Sequence, residues 1–207
     1  MDSKDSLSTQ YNTHSLHAHY ENKATRFHLD RILKKRSLII TRSSFAGTGH
    51  TSSKWLGDNV STWKDLQHSI SGILSMNLFG FPLIGADICG FLGNTNEELC
   101  IRWYQVGCYY PFSRNHNGFD SIPQEPWVFG EALINNSRKS IQDKYSILPY
   151  YYTQFYKTHI EGGALIRSLP LEFPYDISDQ INYIDTQFMV GPALLISPVL
   201  QQGADTV

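Results

Sequence analysis

Three short apolar runs, each ending at a polar cluster, set the pattern of this chain. Leu38-Ile39-Ile40-Thr41 ends at Arg42, Phe81-Pro82-Leu83-Ile84-Gly85-Ala86 ends at Asp87, and Cys108-Tyr109-Tyr110-Pro111-Phe112 runs into Ser113-Arg114-Asn115-His116-Asn117. Apolar runs of this length, bounded by turn residues, read as strands buried on both faces. Segments of helical period lie between and around them. The first spans about Tyr20 to Lys35, with Ala24, Phe27, Ile32 and Leu33 as its buried side. In the second, Thr62 caps the start with Asp65 three residues on, Trp63, Leu66, Ile70, Ile73 and Leu74 share a face, and the helix stops near Gly80. The third is capped near Asn96, carries Glu97 and Glu98 in its first turn, and turns Leu99, Trp103 and Val106 inward. The fourth runs from Ser137 to His159 on a stripe of Ile141, Tyr145, Leu148, Tyr152 and Phe155, kinked at Pro149 and ended by Gly162-Gly163. A strand over Ala164 to Leu169 follows, then an apolar run from Phe188 to Leu200 interrupted by Gly191-Pro192.

Strands alternating with helices of this length predict a parallel α/β arrangement. About four strand–helix pairs are legible, roughly half of what a closed (β/α)8 barrel takes. The expected architecture is therefore the C-terminal half of a TIM barrel followed by the first strands of a β-domain. The expected divisions are a polar segment over 1–18, the partial barrel over 19–172 and the β-domain over 173–207. Such a chain is expected to be an internal or C-terminal piece of a longer protein.

Composition narrows the function. With 41% hydrophobic and 13% aromatic residues the chain is globular in type, and its net charge of -2, with no basic run beyond Lys34-Lys35-Arg36, favours neither nucleic acid nor an anionic membrane. No apolar run approaches the roughly 18 residues of a membrane span, and Met1 to Ser6 lacks the apolar core of a signal peptide. Cys108 reads as a small buried hydrophobe. Two glycosylation sequons occur, Asn59-Val60-Ser61 and Asn135-Asn136-Ser137; Asn59 adjoins a candidate acid, so Asn135 is the better acceptor.

In α/β barrels the active site lies at the C-terminal strand ends. There the pattern places Arg42, Asp87 and His116, with Trp55 and Asp58 in the loop Trp55-Leu56-Gly57-Asp58-Asn59. Charged and planar groups grip hydroxyls, aromatic faces cover C–H surfaces, and a carboxyl can move a proton. Together they suit a neutral polyhydroxylated ligand such as a sugar.

The order of Ile40-Thr41-Arg42-Ser43-Ser44-Phe45-Ala46-Gly47, Trp55-Leu56-Gly57-Asp58, Gly85-Ala86-Asp87-Ile88-Cys89-Gly90-Phe91 and Tyr110-Pro111-Phe112-Ser113-Arg114-Asn115-His116-Asn117 resembles glycoside hydrolase family 31, and within it the lysosomal and intestinal α-glucosidases. The likeness runs from about Tyr11 to about Leu200, through Pro123-Gln124-Glu125-Pro126 and Gly191 to Val199. It implies a barrel followed by a β-sandwich domain, and a retaining hydrolase of terminal α-linked glucose that needs no metal or organic cofactor. By the same resemblance Asp58 matches the general acid/base, Arg42, Asp87 and His116 match hydroxyl-binding residues, Trp55 and Phe91 match pocket walls, and Cys89 and Cys100 match a disulfide. Phe45 and Phe112 are expected to be packing. Family members enter the secretory pathway, which implies a lysosomal or extracellular setting. Two departures stand out. No Trp-Ile-Asp-Met-Asn-Glu-type segment, which carries the family nucleophile, occurs in the sequence; and where the family reads Arg, an aromatic, Ala, Gly, His before the tryptophan, this chain reads His50-Thr51-Ser52-Ser53-Lys54. Lys54 beside the acid loop is expected to change the placement or protonation of Asp58. The rival expectation is a non-catalytic relative that keeps sugar affinity or serves as another subunit's partner.

Overall fold

The computed structural model describes residues 9–175 and 179–207. Residues 1–8 of the polar N-terminal segment, and 176–178 within the span assigned to the β-domain, lie outside them. Four extended segments lie side by side. β1 (Ile40–Thr41) pairs in parallel with β2 (Ser53–Lys54), and β3 (Asp87–Ile88) in parallel with β4 (Arg114–Asn115). The backbone joins the two pairs: Lys54 N donates to Leu83 O, Leu56 N to Gly85 O and Phe112 N to Ile84 O. Because donors and acceptors advance together by two residues, all four staves run the same way. Gly85 permits the closest approach, since a Cβ there would collide with the Phe112 carbonyl.

α1 (Gln10–Thr13) and α2 (His17–Leu33) precede β1, α3 (Trp63–Leu78) links the second stave to the third, α4 (Glu97–Gly107) the third to the fourth, and α5 (Glu131–Glu161) follows β4. The capping chemistry is as expected. Thr62 Oγ1 accepts from Asp65 N at 3.1 Å, and Asn96 Oδ1 accepts from Leu99 N at 3.0 Å. Leu66, Ile70 and Ile73 of α3, with Leu99, Trp103 and Val106 of α4, are fully or almost fully buried against Ile84, Ala86 and Ile88. Each such side chain contributes about 1.5 to 3 kcal/mol through burial. Past Gly162 the chain turns antiparallel: β5 (Ile166–Arg167), β6 (Phe188–Val190) and β7 (Leu194–Ile196) form one sheet in that order, with the short α6 (Leu169–Glu172) between the first two.

Four expectations are corrected. In the 81–86 run the ladder begins only at Asp87. The run Cys108–Phe112 is no strand: it closes α4 in turns, with Tyr109 N on Val106 O and Tyr110 N on Gly107 O, because fully buried Tyr110 anchors its hydroxyl on Ser69. On α2, Ala24, Phe27, Ile32 and Leu33 face solvent while His19 and Asn22 are buried. The packing side there is polar: His19 Nδ1 pairs with Thr48 Oγ1 at 2.9 Å and Arg26 reaches Thr51 O and Ser37 O. On α5, which starts at Glu131 rather than Ser137 and continues through Pro149, the stripe Ile141, Tyr145, Leu148 and Tyr152 is exposed and only Phe155 is half-buried. Its inward side holds Leu133, Ser137, Ser140, Tyr151 and Gln154. Amphipathic residues make that face by burying their stems and bonding with their tips: Tyr151 Oη donates to Tyr109 O at 2.6 Å, Tyr150 Oη to Val190 O at 2.8 Å, and Lys144 Nζ to Cys108 O and Tyr110 O.

Candidate active site

Each stave carries polar groups in or just beyond its paired residues: Arg42 directly follows β1, Trp55 and Asp58 follow β2, Asp87 opens β3 with Phe91 in the loop beyond, and Arg114 opens β4 with His116 directly after it. Gly57 holds φ +90° immediately before Asp58, and a Cβ there would sit 3.6 Å from Arg42 Nε, so the acid loop lies close against that arginine. Arg42 Nη2 meets Asp58 Oδ2 at 3.4 Å, with side chains 62% and 43% exposed. So open a pair contributes less than about 1 kcal/mol and separates at little cost.

Asp87 is the opposite case, 1% exposed. Its Oδ1 accepts from Arg114 Nε at 3.0 Å and Nη2 at 2.6 Å, while Oδ2 is buried with no hydrogen-bond partner among the described residues. Burial pushes this carboxyl above its ordinary range; the bonds and charge of Arg114 pull it back, His116 adds to that pull, and Asp58 opposes it. Arg114 also lies over the Trp55 ring at 5.1 Å and the Phe112 ring at 5.8 Å, and the rings of Phe91 and His116 are 5.2 Å apart. Arg114, which the sequence reading omitted, thus ties Asp87 to Trp55, while Arg42 pairs with Asp58 and Phe91 with His116, and the charges of Asp58 and His116 both bear on Asp87. Arg114 and His116 are two positions apart on an extended segment and share a face; that spacing was the available signal. Phe112 packs as expected, whereas Phe45 is 46% exposed.

Two amides hold the loops in place. Asn59 Nδ2 donates to Asp87 O at 2.9 Å, Asn59 Oδ1 accepts from Asp87 N at 3.3 Å, and Asn59 O accepts from Phe91 N at 2.8 Å. Gln124, 3% exposed, directs Nε2 at the carbonyls of Ile88, Gly90 and His116 and at Asn115 Oδ1. Cys89, at φ +76°, is joined to Cys100 of α4 in a disulfide with Cα atoms 4.5 Å apart. The Lys54 ammonium donates to the backbone carbonyl of Arg42, and burial with the neighbouring Arg42 charge lowers its pKa. Among the described residues no group of three His, Cys, Asp or Glu is placed to hold a metal ion. The arrangement offers a solvent-open carboxyl that can exchange a proton, a buried carboxyl whose second oxygen has no hydrogen-bond partner among the described residues, and aromatic faces for C–H surfaces.

Residues 1–154 match the family model described as the TIM-barrel domain of glycosyl hydrolases family 31, and residues 162–207 match the C-terminal domain of that family. Human intestinal sucrase-isomaltase is 47% identical over all of this chain and 11% of its own length; mouse lysosomal alpha-glucosidase is 47% identical over 97% of this chain and 21% of its own. The chain therefore spans between a tenth and a fifth of the length of these curated relatives. Among solved structures, a Flavobacterium johnsoniae family 31 dextranase complexed with glucose superposes with a TM-score of 0.89 at 33% identity, covering 97% of this chain and 26% of that one. A Tris-bound glucosidase II alpha subunit gives 0.87 at 34%, covering 94% and 21%.

Proposed function

The chain belongs to glycosyl hydrolase family 31, and on that premise we propose that it carries the acid/base and sugar-binding side of a retaining α-glucosidase site. The observation that supports this most is Asp87: a buried carboxylate fixed through one oxygen by Arg114, its second oxygen unpartnered, beside the exposed Arg42–Asp58 pair. In this reading Asp87, Arg42 and His116 hold hydroxyls of a terminal α-linked glucose, and Trp55 and Phe91 wall the ring. Asp58 donates its proton to the leaving glycosidic oxygen, then accepts one from the water that frees the sugar. The nucleophile of a retaining reaction is a second carboxylate about 5 Å from the acid, and no segment of the family's nucleophile type occurs in this sequence. The reading therefore assigns to these residues the protonation and binding steps only. A secretory-route setting goes with it, supported by the Cys89–Cys100 disulfide and by the lysosomal and intestinal names of the relatives.

In a second reading the chain binds sugar or a partner subunit without turnover. One solved relative is a catalytic subunit in a heterodimeric complex with the binding domain of a regulatory subunit. The two readings separate in a chimera that joins this chain to the upstream barrel half of sucrase-isomaltase. Hydrolysis of an aryl α-glucoside with retention, lost on Asp58→Asn, supports the first; tight glucose binding without turnover supports the second.

A further inference from the structure

The structure assigns Asn135 as the acceptor of an N-linked glycan and leaves the Asn59 sequon unused in folded protein, an inference that rests on the secretory-route reading above. The sequence offers two Asn-X-Ser sites, and their side chains are in opposite states. Asn135 lies exposed near the start of α5; its Oδ1 accepts from Arg138 at 3.2 Å, and its Nδ2 has no partner among the described hydrogen bonds. Asn59 is half-buried, and both ends of its amide are taken by the backbone of Asp87.

That difference decides which glycan the folded chain can carry. Transfer forms a bond from Asn Nδ2 to the anomeric carbon of a lipid-pyrophosphate-linked oligosaccharide. The C–O bond to phosphate breaks, the lipid pyrophosphate leaves with the electron pair, and one amide hydrogen is lost as a proton. A secondary amide prefers its new substituent trans to the chain carbon, on the side of the oxygen. At Asn59 that is the side of the hydrogen given to Asp87 O, because a two-pronged pair with the N–H and C=O of one residue uses the hydrogen beside Oδ1. A glycan there would displace Asp87 and open the loop from Asp58 to Phe91. At Asn135 the residue is exposed, and Nδ2 gives no hydrogen among the described bonds that a glycan would have to displace. Ser137 of the Asn135 sequon is buried in the finished helix, with Oγ donating to Ile134 O at 3.0 Å, so the transferase meets this sequon before α5 packs.

The test is expression of the full 207-residue chain behind a cleavable secretory leader in insect cells, read two ways. Denatured whole lysate is digested with peptide N-glycosidase in heavy-oxygen water, which needs no folding, and occupancy is read by peptide mass spectrometry at both sites. The soluble fraction is read in the same way. Expected are heavy Asp at 135 in both fractions, loss of the electrophoretic shift in Asn135→Gln, and unmodified Asn59 in the soluble fraction. Unmodified Asn135 in lysate, or soluble chain carrying a glycan on Asn59, overturns the assignment. Neither readout depends on glucosidase activity, so failure of the enzymatic reading leaves it standing, and the leader keeps it separate from where the protein resides in its own cell.

Discussion

Arg114 grips Asp87 through two nitrogens, Nε at 3.0 Å and Nη2 at 2.6 Å, on a single carboxylate oxygen. The pairing is asymmetric, since Asp87 is 1% exposed and the Arg114 side chain 32%. Losing the arginine strands a buried negative charge, whereas losing the aspartate frees a half-exposed cation. Arg114→Met is therefore expected to destabilise the fold by about 3 kcal/mol or more, and Asp87→Asn by less. The double variant should recover much of the loss. Denaturant midpoints of the four proteins check this, and additive losses would show that the pair is not coupled.

The capped starts and packed faces of α3 and α4 and the end of β1 were legible because they follow from local rules: a capping side chain, an apolar period, an apolar run broken by charge. The inward faces of α2 and α5 were not. His19, Arg26, Lys144, Tyr151 and Gln154 are polar by name, and their contribution lies in long-range bonds to loop carbonyls that no periodicity encodes. The site shows the same division. Arg42, Asp58, Asp87 and His116 stand in or just beyond the staves, where the apolar runs break, but the clamp of Asn59 on Asp87 and the reach of Gln124 across two loops exist only once the staves are side by side.

Lys144 gives a pH signature. Burial lowers its ammonium to about 8, from an ordinary value of 10.5. Between these values the unfolded chain binds more protons than the folded one, so this residue makes stability rise with pH. Cys108, raised by burial to about 11 from 9.0, and the buried tyrosines act in the opposite sense from about pH 9 upward. From about pH 8 to 9 the wild type should gain stability relative to Lys144→Met, a difference on the order of 1 kcal/mol. A difference between the two melting curves that does not change with pH would refute the burial of the ammonium.

The three cysteines should respond in order. Cys89 and Cys100 are joined, and Cys108 is free, 2% exposed, with its thiol pushed up to about 11. Iodoacetamide at neutral pH is expected to label none of them in the folded chain, Cys108 alone after unfolding without reductant, and all three after reduction. Replacing Cys89 and Cys100 by Ala should cost about 2 to 4 kcal/mol. Rapid labelling of native protein would mean that the turn closing α4 is open.

The isolated 207-residue chain is expected not to hydrolyse an aryl α-glucoside at any rate that depends on Asp58. A retaining displacement needs a nucleophilic carboxylate about 5 Å from the acid. Asp87, whose shift the charge of Asp58 affects, is held in place: one of its oxygens takes both hydrogen bonds from Arg114. Exposed Phe79, Tyr145, Tyr152 and Tyr156, at 61% to 68%, leave apolar surface that favours association over a preorganised pocket. With a nucleophile strand supplied by the upstream half of a relative, turnover should appear and fall about 10² to 10⁴-fold on Asp58→Asn, the usual share of acid/base catalysis. Robust turnover by the chain alone, lost on both Asp58→Asn and Asp87→Asn, would instead make Asp87 the nucleophile and Arg114 the group that keeps it ionised.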